Sequence, residues 1–188
     1  MRPWPATILA IDPGETSGAA LFVGGRLQGV WRVSGADPAK QVVAVAQETE
    51  RETELPLVVV LETWAGNIPG GTVTASGLGS AAGMWRAVLE LAKHPKRRTL
   101  KVNPMTWYAR LIGGRKTRGK DKVVSAMLLR FPELKRSKGI DHNVAEAVAI
   151  GVWASRAGEV GKVLPKKTLK AHAFPTQFDL SGAKEVGS

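Results

Sequence analysis

Cysteine is absent from the 188-residue chain, which excludes a disulfide framework, a thiolate metal site and a cysteine nucleophile. No apolar stretch approaches the ~20 residues of a membrane-spanning helix. The opening MRPWPATILAID runs into a strand pattern without the charged segment and cleavage site of a secretory leader. A soluble, cytoplasmic protein with no membrane partner is expected. At 44% hydrophobic residues, the chain can bury one core of ordinary size and lacks the length for two. The expected division is one domain over residues 1–158 and a basic, loosely ordered extension over 159–188.

Acidic residues are scarce in one place. The 27 Lys and Arg exceed the 16 Asp and Glu by 11, but the excess is unevenly spread. Residues 1–92 carry 6 bases and 9 acids, residues 93–122 carry 11 and 1, and residues 123–188 carry 10 and 6. The middle stretch, KHPKRRTLKVNPMTWYARLIGGRKTRGKDK, is a solvated surface or a polyanion-binding one. Trp107 and Tyr108 among the cations, and two glycines before RKTRGK, favour the polyanion.

Punctuation along the chain predicts its elements. ATILAID ends at Pro13-Gly14, SGAALFV at Gly24-Gly25, and RLQGVWRVS follows; these read as an antiparallel meander of three strands. Asp37-Pro38 opens a surface helix with Val42, Val43, Val45 and Ala46 as its apolar positions, stopped by Pro56. LVVVLE (57–62) is a β-branched run of the kind buried on both faces of a sheet. GNIPGGTVTASGLGS reads as a loop and AAGMWRAVLELAKH as a helix. RTLKVNP is a strand, MTWYARLI a helix after Pro104, DKVVSAMLLRFPEL a helix ending near Pro132, and IDHNVAEAVAIGVWASRAG a last helix. This order predicts a mixed α/β sheet between helices.

Acids sit at suggestive places in that scheme. Asp12 and Glu62 each end an apolar strand, and if those strands are neighbours the two carboxylates converge and repel. A hard divalent cation, Mg²⁺ or Mn²⁺, relieves such a pair through oxygen ligands. Glu146 lies among Ala145, Ala147 and Val148, where an unpaired carboxylate is disfavoured. Asp141 is either a helix N-cap or a ligand, and His142 either a ligand or an exposed first-turn residue. Carboxylates, two metal ions and a basic surface together suit phosphodiester hydrolysis.

These stretches resemble the RuvC family of Holliday junction resolvases, within the RNase H-like superfamily. ILAIDPGETSGAALF is similar to the family's opening I-x-G-I-D-P-G and its second, glycine-containing strand. VVVLET places Glu62 at the family's second acid, and AEAVAIGV places Glu146 at its last. KVNPMTWYARLIGGRKTRGKDKVV resembles the intervening strand, proline, helix, glycine and lysine-valine block, and LGSAAGMWRAVL matches more loosely, through Ser80 and Gly83.

The resemblance covers about residues 6–157 and implies an RNase H-like domain with a mixed five-stranded sheet flanked by helices. It implies a homodimeric, metal-dependent endonuclease that resolves four-way junctions in branched DNA. Asp12, Glu62 and Glu146 would hold two Mg²⁺ or Mn²⁺ ions, with Asp141, His142 or Asn143 completing the site. Lys120 would contact the cleaved phosphate, and Arg97, Arg98, Arg115, Lys116, Arg118, Lys120 and Lys122 would grip the DNA backbone. The sequence departs from the family in having Asn143 where Asp or His is usual, Glu for the final Asp, and Tyr108 at a position suited to a second lysine.

Other readings compete. The D-x-G-x-T spacing from Asp12, with Gly18 two residues further on, also resembles the phosphate loop of actin and the sugar kinases, which require a second such domain. A relative that binds branched nucleic acid without cutting it, or an RNase H-like nuclease with another substrate, shares the fold. Trp107 and Tyr108 would stack on a splayed base or, beside Leu111 and Ile112, pack in the core.

Overall fold

β-branched residues with no polar interruption before its last position put Leu57–Glu62 (β4) in the interior of the sheet, where all six residues are buried. The computed structural model describes residues 6–63, 71–113, 120–136, 140–156 and 159–164. Thr7–Asp12 (β1), Ser17–Val23 (β2) and Arg26–Val33 (β3) form the expected meander. Gly24 and Gly25, both at positive φ, make its second turn. β4 runs parallel to β1 on one side and to Thr99–Val102 (β5) on the other, giving the five-stranded order β3-β2-β1-β4-β5. The mixed sheet predicted from element order is therefore present.

Alternating side chains divide the core between two faces. Leu9, Ile11, Val59 and Leu61 meet helices α1 (Ala36–Thr53) and α2 (Gly71–Leu91), while Ile8, Ala10, Val58 and Val60 meet α3 (Pro104–Leu111), α4 (Lys120–Arg130) and α5 (His142–Arg156). On α1 the buried stripe is Ala39, Val42, Val43 and Ala46, spaced three and four apart; Val45 falls off it and is exposed.

Two local expectations change. Residues 71–80, read as loop for their Gly, Ser and Thr, belong to α2. Gly77, Gly79 and Gly83 have open space where a Cβ would be, so the helix is held by its other side, through Trp85, Val88 and Leu89. Beyond α5 the core also takes in Val160 and Leu164, which are buried around a 3-10 turn at Glu159–Lys162.

Helix α5 lies unusually close to β2. A Cβ on Gly18 would sit 2.0 Å from the Asn143 carbonyl oxygen, and one on Gly151 would sit 2.4 Å from the Phe22 ring. Glycine at both positions lets the helix backbone settle on the strand. The first turn of α5 is thereby brought against the end of the sheet where β1 and β4 finish.

Candidate metal centre

Asp12 and Glu62 extend the alternation that puts Ala10 and Val60 on the α5 face, so both carboxylates leave the sheet on that side. Glu146 meets them from α5. One carboxylate oxygen from each of the three lies within 4.8 Å of the others. All three residues are buried, at 7%, 3% and 8% exposure.

Ionised, this arrangement is costly. At an effective dielectric of about 20, two charges 4.8 Å apart repel by roughly 3 kcal/mol. Three such pairs rival the ~5–15 kcal/mol that holds a whole domain together. A set of hard oxygen donors at this spacing fits a divalent cation of the Mg²⁺ or Mn²⁺ class.

Each acid is placed by its surroundings. The turn after Asp12 closes on Ser17, whose hydroxyl donates to the Gly14 carbonyl (3.2 Å) and accepts from the Trp85 indole (3.0 Å). The Asn143 side-chain amide donates to the Thr16 carbonyl at 2.7 Å, tying this turn to the start of α5. At the end of β4, the Thr63 amide donates to the Val102 carbonyl at 2.8 Å. Glu62 Oε2 accepts a hydrogen bond from Trp107 Nε1 at 2.6 Å.

Asp141 serves α5 as its cap. Its Oδ1 accepts from the Val144 amide at 3.0 Å and its Oδ2 meets Arg32 Nε at 2.9 Å. Of the two readings left open for Asp141, the geometry therefore displays the N-cap, and the carboxylate is outside the three-acid group. His142 is the partly buried first residue of α5 and Asn143 its second, neither of them in that group.

The basic residues disperse. Arg98 is turned inward, its guanidinium bonded to Glu50 at 2.6 Å between α1 and the 3-10 turn Lys96–Arg98. That turn precedes β5, whereas Glu62 pairs with Val102 at the far end of β5. Exposed Arg97 is thus about a strand's length, ~13 Å, from the acids' end of the sheet. Lys101 pairs with Leu61 and so shares the α2 face, where it joins Arg86, Glu90, His94 and Lys96 around a cavity of about 270 Å³. Burial there holds the His94 imidazole below its usual pKa, against a partial offset from its bond to the Arg98 carbonyl. Lys122 is exposed in the first turn of α4. Arg115, Lys116 and Arg118 lie outside the described residues, as does the side chain of Lys120.

Of the two readings of Trp107 and Tyr108, the fold displays core packing. Trp107 is fully buried and Tyr108 is 2% exposed, so neither offers a face for a base to stack on. Their rings pack at 5.6 Å and 59°, and the Trp107 bond to Glu62 is a site contact that sequence reasoning missed. The spacing to Leu111, one helical turn on, signals a core-facing Trp107 but carries no sign of its polar partner.

No protein-family model matches the chain, and no curated protein matches it by sequence. Among solved structures, Thermus thermophilus RuvC in complex with Holliday junction substrate aligns with a TM-score of 0.58 at 20% identity. That alignment covers 84% of this chain and 97% of RuvC. The fold is that of RuvC. A second T. thermophilus RuvC structure agrees, with a TM-score of 0.53 and 21% identity over 81% of this chain and 96% of the other. The yeast mitochondrial Holliday junction resolvase Ydc2 gives 0.51 at 11% identity, covering 91% and 86%. The RuvC fold accounts for the sheet order and the helical layers described above.

Proposed function

We propose that the chain is a divalent-metal-dependent endonuclease that cuts branched DNA, with the four-way junction as its substrate. The observation that carries this reading is the group of three buried carboxylates at one end of a RuvC-fold sheet. Two of the similar structures are named as Holliday junction proteins, one with that substrate bound.

In this reading Asp12, Glu62 and Glu146 are the metal ligands. Bound Mg²⁺ or Mn²⁺ ions supply water activation and charge neutralisation at the scissile phosphate. The chain's own contribution is placement: the Ser17–Trp85 contact sets the Asp12 turn, Trp107 holds Glu62, and the Asp141 cap fixes the helix that delivers Glu146. Lys120 and Lys122, together with the basic segment before them, are assigned to the DNA backbone. Arg98 is left out of that set because it is paired with Glu50. A homodimer would place two such centres symmetrically, as paired nicks in a symmetric junction require.

The phosphate-loop reading of DPGETSG has weaker support. Thr16 uses its backbone carbonyl to hold Asn143, so this turn is a tie to α5. The substrate test is incubation of the purified chain in Mg²⁺ and in Mn²⁺ with four-way, Y-shaped, linear duplex and RNA–DNA hybrid substrates. Symmetric cutting of the four-way junction is expected. Preferential cutting of the hybrid would overturn the junction assignment, and binding without cutting of any substrate would overturn the nuclease reading.

A further inference from the structure

A fully buried indole N–H needs an acceptor, and Trp107 finds it in a carboxylate of the three-acid group, Glu62 Oε2, at 2.6 Å. This is the short end of N–H···O distances, as a donor facing a carboxylate gives. The contact is built in by the elements on either side. Val102 pairs with Glu62 in register, Asn103 caps α3 by accepting from the Met105 amide at 2.9 Å, and Pro104 takes the first helical position. Trp107, four residues past the cap, then lies under the end of β4 with its ring against Tyr108.

We propose that Trp107 is a positioning residue for the Glu62 carboxylate, and that its N–H tunes the affinity of the three-acid group for a divalent cation. The inference rests on the metal-centre reading above and names a residue that acts through a ligand. An indole suits the task because it is a neutral donor. Lysine or arginine at this place would also orient Glu62, but its charge would compete with the cation for the carboxylate. The N–H restrains the torsions of a long glutamate and draws on one oxygen, which lowers the freedom of the carboxylate to swing away from Asp12 and Glu146. Removing an outer partner of this kind typically costs ~10–100-fold in metal affinity.

Two variants isolate the N–H from the ring. Trp107→Phe removes the donor with some loss of volume. Replacing the Trp107 indole by its benzothiophene analogue, introduced as 3-benzothienylalanine, removes the donor and keeps the shape. Mn²⁺ binding is read by loss of the free-ion electron paramagnetic resonance signal, Mg²⁺ binding by calorimetry, and junction binding in EDTA by gel shift. A ~10–100-fold weaker metal affinity is expected for both variants, with metal-free junction binding unchanged and the analogue melting as the wild type does. Wild-type metal affinity in the analogue overturns the proposal, even if Trp107→Phe fails to fold. A wild-type chain that binds neither metal overturns the metal-centre reading itself, so the two failures are distinguishable.

Discussion

Asp12, Glu62 and Glu146 have no Lys or Arg within five residues on either side in the chain. Each therefore lacks a local cation, and each sits in an apolar stretch that drags it out of water. This combination made the three legible from sequence, since a buried carboxylate needs a partner brought by the fold. Trp107 was not legible in the same way, because its role depends on register between β4 and β5, which no local pattern encodes. Asp12→Asn removes one charge from the group and with it two of three repulsions. Without divalent metal, the variant should melt several degrees above wild type, at ~2–4 °C per kcal/mol for a chain of this size. Added Mg²⁺ should stabilise wild type and leave the variant unchanged. A variant that melts below wild type in EDTA contradicts mutual repulsion among the three acids.

At the level of elements, apolar runs with glycine and proline punctuation placed every strand among the described residues, most plainly β1, β2 and β4, which are buried along nearly their whole length. Helix α2 was read short for a physical reason. Glycine costs about 1 kcal/mol in a helix interior, and packing of Trp85, Val88 and Leu89 against the sheet, further along the same helix, works against that cost. The start of α5 was the least decided element, with Asp141, His142 and Asn143 competing for one role. The structure gives Asp141 the cap and Asn143 the tie to Thr16. Asp141→Asn keeps a capping oxygen and loses the half-exposed pair with Arg32, together worth under ~1 kcal/mol. Asp141→Ala loses the cap as well, at a cost of ~1 kcal/mol or more. Calorimetry of the two variants should show unchanged metal affinity for Asp141→Asn and a lower melting temperature for Asp141→Ala. Loss of metal binding in Asp141→Asn would return this residue to the ligand set.

For the whole molecule, the order of elements was enough to anticipate a mixed sheet between helices, and the motifs at either end pointed to the RuvC fold that the solved structures display. The direction of the positive charge was harder to read. A count over residues 93–122 treats every cation alike, whereas the fold sends Arg98 to Glu50, leaves Arg97 at the wrong end of β5 and turns Lys101 toward α2. Proximity in sequence became separation across a sheet. The acids show the reverse, since 50 residues separate Asp12 from Glu62 and 84 separate Glu62 from Glu146, yet the three meet. Their meeting is the centre of the functional account. The most direct test is single-turnover cleavage of a four-way junction in Mg²⁺ by wild type and Asp12→Asn, with junction binding measured in the same buffer. The account predicts that cleavage falls on the order of 10³-fold or more, the equivalent of several kcal/mol of barrier, while binding stays within about threefold because phosphate contacts dominate it. Cleavage by Asp12→Asn at the wild-type rate would contradict it.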